Sequence, residues 1–368
     1  MEEMLRMEEM EGDDCLRLRS LWEEVFWEDS RAFTDYYFEE KAVRNHAFAL
    51  RAGQEYAAML YLSPYPMMLR AGERFVCREI YYIVGVATKK EYRHRGYMDR
   101  LLKKALAFAR AKGQPFVFLM PADPQIYTPY QFSYIYDRRI YRLKEDQTEK
   151  SFLGIHPLEE TEIHALAERA SSFLEKYYDV FIRRDGSYYR GMERELWVQN
   201  GGISLIGDGE GYFFYTEEEG KGEILEAVLP EGDKECIVYD SGKTEPAIMA
   251  RIADVSSMLS LLYAENEEIF LSLLVRDPLL QENEGVWKCH MTSGKVYTNK
   301  EEKDVLEKSG AWPEYECQAD IGQLAAWIFG YQKEEECFLF PDAADKEAVL
   351  RKLRGIRRPC RVFINEIV

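Results

Sequence analysis

An α/β fold in layers is predicted by three observations. A strand, a basic glycine-containing turn and an amphipathic helix follow one another over residues 83–113, and helical and strand patterns alternate from about residue 14 to 145. The chain has 368 residues, too many for one ordinary core, so two or three units are expected. Hydrophobic residues make up 46% of it, close to the globular average, and each unit can bury a core of its own.

The first element is a helix over Leu16 to Phe26. After it, Trp22, Phe26, Trp27, Glu28, Asp29, Phe33, Asp35, Tyr36, Tyr37, Phe38, Glu39 and Glu40 mix aromatics with carboxylates. Such a mixture can wall a pocket for a cationic group through Coulomb attraction and cation–π contact, with Trp27, Glu28 and Asp29 at the helix end as candidates. At helical spacing such aromatics are more often core than pocket. Ala52-Gly53 between two strand-like runs predicts a hairpin over Ala47 to Leu62.

Next come the strand Ile83 to Thr88, the turn Arg93-His94-Arg95-Gly96-Tyr97-Met98, and a helix whose apolar stripe is Met98, Leu101, Leu102, Ala105, Leu106 and Ala109. Gly113 stands where a helix C-cap belongs. A diphosphate against this turn would meet free backbone N–H groups and the positive end of the helix dipole, with formal charge from Arg93 and Arg95. Gly96 lets the backbone approach without a Cβ, and His94 is a candidate contact from within the loop. Phe116 to Met120 then reads as a buried strand, followed by Ile126-Tyr127-Thr128-Pro129-Tyr130-Gln131-Phe132.

From about residue 146 to 240 the pattern recurs more faintly, with a helix near Leu158 to Tyr178 and strand runs at 202–207, 212–215 and 224–229. The last third begins around Pro246 to Val255. Strand runs follow at 268–275, 286–292 and 315–319, with helices at 321–329 and 346–353. The chain ends Val362-Phe363-Ile364-Asn365-Glu366-Ile367-Val368, apolar where a free terminus is normally polar and frayed. Such an end packs, either as an edge strand or as a device that delivers the Val368 carboxylate to a defined place, with Glu366 a further candidate.

The formal charge of −18 argues against nucleic acid or an anionic membrane surface as partner and favours cationic substrates. No basic start with an apolar run opens the chain and no stretch is long enough to span a bilayer, so a cytoplasmic location is expected. Seven cysteines, none in a Cys-x-x-Cys pair, and five dispersed histidines make no disulfide framework and no metal site, so no metal is expected.

The segment around Arg93 and Gly96 resembles the acetyl-CoA signature of the GNAT N-acetyltransferases, Arg/Gln-x-x-Gly-x-Gly/Ala, with Met98 where the small residue usually stands. The Tyr127 segment resembles the GNAT Phe-Tyr-x-x-x-Gly-Phe motif, with Gln131 in place of the glycine. Residues 277–287 and Asp320 to Leu324 resemble sterol-carrier domains. The order of these pieces is similar to the enhanced-intracellular-survival (Eis) acetyltransferases. That resemblance implies tandem GNAT-like mixed sheets flanked by helices, followed by a sterol-carrier-like α+β domain. The units would be an acetyl-CoA-binding domain at 1–145, a degenerate GNAT-like domain at 146–245 and a sterol-carrier-like domain at 246–368.

The activity implied is direct transfer of acetyl from acetyl-CoA to a primary amine of an aminoglycoside, polyamine or lysine. In that scheme Val86, Ala87 and Thr88 align the pantetheine and the residues from Arg93 to Met98 hold the pyrophosphate. Tyr127 protonates the thiolate, and the Val368 carboxylate acts as base. A homo-oligomer, often a hexamer, is also implied. Two alternatives stay open: a transferase of another acyl donor, and a non-catalytic protein that binds CoA and an apolar ligand.

Overall fold

The computed structural model describes residues 5–143, 157–206, 211–218, 221–229, 238–301 and 314–366. Its main sheet grows from the hairpin at Gly53, whose φ of +60° suits the turn. The strands β1 (Leu5–Glu11), β2 (His46–Ala52), β3 (Glu55–Ala71) and β4 (Arg74–Thr88) pair antiparallel in order. Before the hairpin lie α1 (Arg19–Val25) and α2 (Arg31–Tyr36), the latter continued by a π-helical turn at Tyr37–Lys41.

The helix expected over Leu16 to Phe26 is split. Gly12–Leu18 is a 3-10 helix, because Cys15 and Leu18 are the buried residues and their three-residue spacing matches that tighter winding, with Leu16 left exposed.

The helix α3 (Tyr97–Ala111) buries Leu101, Leu102, Ala105, Leu106 and Ala109 against the sheet and ends at Gly113, φ +69°. Burying each leucine contributes roughly 1.5–3 kcal/mol. The buried strand β5 (Phe116–Leu119) follows, then the short α4 (Pro124–Tyr127) and β6 (Ser133–Leu143).

A middle unit has α5 (Glu160–Tyr177), β7 (Val180–Ile182), α6 (Gly186–Val198) and a three-stranded antiparallel sheet of β8 (Gly202–Ile206), β9 (Gly211–Glu218) and β10 (Lys221–Val228). β11 (Val238–Ile252) crosses the boundary placed at residue 245 and inserts into the main sheet between β5 and β6. Its run Ala247, Ile248, Met249, Ala250 and Ile252 is buried throughout, as a strand covered on both faces requires. The main sheet thus reads β1-β2-β3-β4-β5-β11-β6, with β7 added alongside the far half of β3.

The C-terminal unit is α+β. After a helix at Val255–Leu259, β12 (Tyr263–Ala264) leads to a four-stranded sheet of β13 (Ile269–Arg276), β14 (Gly285–Met291), β15 (Val296–Glu301) and β16 (Cys317–Asp320). Helices at Ile321–Ile328 and Lys346–Gly355 cover it. A capping box, in which Asp320 and Gln323 satisfy each other's backbone N–H groups, starts the first. β17 (Ile356–Arg357) pairs with β12, and β18 (Val362–Phe363) returns to pair with β7 in the main sheet. The fold is therefore a mixed α/β sheet flanked by helices, joined to a second, α+β domain. Among the described residues no helix is long and apolar enough to cross a membrane.

Candidate active site

β4 and β5 are parallel and bond only at Tyr81 with Val117 and Tyr82 with Phe118. β4 then runs on to Thr88 while β5 ends at Leu119, so the edge of β4 beyond Tyr82 that faces away from β3 has no strand partner among the described residues. Gly85 lies in this stretch. Its φ is +59°, a register shift against Met59 and Tyr61 marks a bulge there, and a Cβ would come within 2.5 Å of the Trp22 ring. The bulge re-aims Val86, Ala87 and Thr88, whose open edge can accept an extended amide chain as an added strand.

The turn after β4 is anchored by Tyr92, which is buried, stacks on Tyr97 and donates its hydroxyl to Glu55 at 2.9 Å. Arg93, His94, Arg95 and Gly96 are exposed. Arg93 Nε donates back to Thr88 O at 3.2 Å, and the Arg95 guanidinium lies over the Tyr92 ring. His94 (φ +63°) and Gly96 (φ +74°) are both left-handed, which curls the chain into the helix. Arg100 N–H bonds Gly96 O at 3.2 Å, so the N–H groups of Tyr97, Met98 and Asp99 before it have no intrahelical acceptor. Met98 is half-buried against the core, leaving its backbone rather than its side chain toward an anion. Together these groups fit a diphosphate.

Tyr127 ends α4, which Asp123 caps by accepting Gln125 N–H at 2.9 Å. The ring is buried against Phe132, and its hydroxyl makes no hydrogen bond among the described residues. Burial pushes the phenol up to about 12, so it is protonated and able to donate. Against a thiolate of about 8.5 this is a gap of roughly 3.5 pKa units, or about 5 kcal/mol, narrowed because the same burial raises the thiol as well. Gln131 takes the left-handed conformation (φ +58°) that the motif's glycine would take freely. Two later segments grip this turn: Arg251 Nε of β11 donates to Tyr130 O at 2.8 Å, and Gly322 of the C-terminal unit packs so closely that a Cβ would lie 2.6 Å from Gln131 O.

The end of the chain packs into the main sheet through β18. Tyr136 donates to Asn365 Oδ1 at 2.8 Å, and Tyr82 donates to the Glu366 carbonyl at 3.3 Å. Val368 lies outside the described residues. The Tyr82 ring also stacks on Phe118, so this side chain ties β5 to the C-terminal segment.

Beside this junction is a cavity of about 230 Å³ lined by Tyr36, Lys41, Tyr65, Tyr188, Glu195 and Glu366, among others. Tyr65 packs edge-on against both Tyr82 and Phe118, so the cavity wall is continuous with the place where β4 leaves β5. Burial pulls the Lys41 ammonium down, but Glu195, 2.7 Å away, outweighs it and holds the pKa above its usual value. Glu366 is buried and pushed up to about 7 by desolvation, against the lowering influence of Arg184.

Trp27, Glu28 and Asp29 do not line this cavity. Trp27 and Glu28 are exposed, and Asp29 accepts the Trp22 indole N–H at 2.8 Å, holding α1 to the following turn. The lining instead comes from separated segments, of which the sequence points to Tyr36 and Glu40, at the far end of the aromatic and acidic run, and to Glu366. Among the described residues no group of three or more His, Cys, Asp or Glu could hold a metal ion.

Residues 6–135 match the acetyltransferase (GNAT) domain family, and residues 255–358 match the sterol carrier protein domain family. No curated protein matches the sequence. Solved structures match along almost their whole length, three of them as follows. A GCN5-related N-acetyltransferase from Anabaena variabilis is 18% identical with a TM-score of 0.73, over 99% of this chain and 100% of that one. One from Kribbella flavida is 16% identical with a TM-score of 0.67, over 100% and 99%. Eis1 from Mycobacterium abscessus is 12% identical with a TM-score of 0.68, over 99% and 100%. At these identities the structures speak for the fold. The chain carries a GNAT acetyltransferase domain followed by a sterol-carrier domain, and it is an enzyme of the acyltransferase class.

Proposed function

We propose that the protein is an Eis-type N-acetyltransferase that moves acetyl from acetyl-CoA directly to a primary amine. The observation that carries this is the opening of β4 away from β5, which leads straight into an exposed turn and the N-terminus of α3. CoA would lie with its pyrophosphate on the turn from Arg93 to Met98 and its pantetheine along Val86, Ala87 and Thr88. That places the thioester near Tyr82, where a backbone N–H of β4 can polarise its carbonyl.

The acceptor enters through the cavity lined by Tyr36, Tyr65 and Tyr188, whose rings suit a cationic amine such as a polyamine, aminoglycoside or lysine side chain. Holding amine and thioester together supplies much of the rate. The tetrahedral intermediate then collapses, the C–S bond breaks, and Tyr127 gives its proton to the thiolate. The C-terminal segment supplies the carboxylate that deprotonates the amine, a role the family resemblance gives to Val368. No residue described above requires a metal for these steps. The second unit at 146–245 shapes the acceptor side through α6, and the assembly is a homo-oligomer, with a hexamer the form expected of the type.

Mass spectrometry of an amine library incubated with enzyme and acetyl-CoA tests this. A gain of one acetyl group on primary amines supports it, whereas acetyl-CoA binding without any turnover would favour a CoA-binding protein.

A further inference from the structure

We infer that the Glu366 side chain, rather than the terminal carboxylate, takes the proton from the acceptor ammonium. The assignment rests on the transferase reading above. Four carboxylates line the cavity: Glu40, Asp185, Glu195 and Glu366. Three of them are already engaged at short range. Glu40 pairs with Arg194 at 2.6 Å, Glu195 pairs with Lys41 at 2.7 Å, and Asp185 pairs with Arg183 at 2.8 Å while capping α6.

Glu366 differs. Its nearest cation, Arg184, stands 3.4 Å away and is shared with Glu226 at 2.9 Å, which also accepts from Tyr212 at 2.6 Å. One guanidinium therefore serves two buried carboxylates, and its Nε and Nη1 have no hydrogen-bond partner among the described residues. Tyr188 donates to the Glu366 carboxylate at 3.2–3.3 Å, which orients it along the cavity wall. The backbone of the same residue is pinned by Tyr82 at the point where β4 and β5 part, so the carboxylate and the site of the thioester are held by one short segment.

The charged and titratable groups that face Glu366 are Arg184, Glu226, Lys41, Glu195, Tyr65, Tyr82, Tyr188 and Tyr189. Lys41 is paired with Glu195, and burial keeps Tyr65, Tyr82 and Tyr189 protonated through the neutral range. Glu366, pushed up to about 7 by burial, changes charge near neutrality.

The step balances as follows. Glu366 takes one proton from R–NH3+ and releases it to solvent through the cavity mouth. The neutral nitrogen bonds to the acetyl carbon, the C–S bond breaks, and the thiolate takes the Tyr127 proton. The second nitrogen proton returns to Tyr127 by way of water, so one proton leaves per acetyl group transferred.

The test compares the wild type, Glu366→Gln and a chain lacking Val368, with acetyl-CoA and putrescine, across pH. The expected result is a kcat/KM that falls below an apparent pKa near 7 in the wild type and in the chain lacking Val368. In Glu366→Gln the value should drop by about 100-fold or more and that limb should vanish, while acetyl-CoA affinity by calorimetry is kept. With hydroxylamine, already neutral at pH 7, the Glu366→Gln deficit should shrink to under about tenfold, because no proton has to be removed before attack. Tyr188→Phe removes a donor to the ionised form and should move the limb to higher pH, which reads the assignment even if Glu366→Gln does not fold. A limb that survives in Glu366→Gln, that is lost on removing Val368, or that stays in place in Tyr188→Phe would overturn the assignment. A wild type that binds no acetyl-CoA would overturn the transferase reading and this assignment with it.

Discussion

The Tyr82 hydroxyl donates to the Glu366 carbonyl at 3.3 Å, joining residues 284 positions apart at the point where β4 and β5 separate. Since the same ring stacks on Phe118, one side chain links the strand that would carry the thioester, its neighbour and the C-terminal segment. Tyr82→Phe removes this hydrogen bond in a buried setting. It should cost about 1–3 kcal/mol in denaturant unfolding and lower kcat more than it raises KM.

Tyr127→Phe removes the proposed proton donor while keeping the ring that packs on Phe132. Turnover should fall about 100- to 10,000-fold with acetyl-CoA affinity unchanged by calorimetry. Unchanged turnover would remove Tyr127 from the mechanism.

Gly85 and Gly96 both have positive φ but differ in surroundings. A Cβ at Gly85 runs into Trp22 at 2.5 Å, whereas one at Gly96 meets nothing within 4 Å. Gly85→Ala should therefore destabilise the fold by about 3 kcal/mol, read by chemical denaturation. Gly96→Ala should cost only about 1–2 kcal/mol of backbone strain, and it should weaken acetyl-CoA binding about 5- to 10-fold because the added methyl stands in the cradle.

Much of the first unit was legible because its signals are local. The stripe of α3, the buried run of β5 and the left-handed glycines at 53, 96 and 113 follow from spacing and residue type alone. The insertion of β11 between β5 and β6, and the meeting of Met67–Leu69, Val180–Ile182 and Val362–Phe363, depend on contacts between distant segments that no local period records. Apart from Tyr36, Glu40 and Glu366, the cavity escaped for the same reason. Its tyrosines and carboxylates come from α2 and its π-helical extension, β3, α6 and the C-terminus, while the conspicuous aromatic and acidic run at 27–29 is exposed or spent on holding Trp22.

Glu366 also makes stability depend on pH. Its folded pKa of about 7 lies above the ordinary 4.5, so the folded state holds a proton that the unfolded state gives up in between. Its contribution is fully present below about pH 4.5 and is lost as pH rises to 7. Relative to Glu366→Gln, the wild type should lose about 3 kcal/mol between those limits in unfolding titrations.

Arg184 is buried with Glu226 and Glu366 as its partners. Arg184→Met should destabilise the protein by about 3–5 kcal/mol in denaturant titrations at pH 8, because two buried carboxylates lose their shared cation, and by less at pH 5, where Glu366 is protonated.

A crystal structure with acetyl-CoA bound is the most direct test of the proposal that the turn from Arg93 to Met98 is a pyrophosphate cradle. The expected result is the diphosphate against the N–H groups that open α3, with the pantetheine paired along Val86, Ala87 and Thr88. A nucleotide lodged elsewhere, with that turn closed by its own side chains, would contradict it.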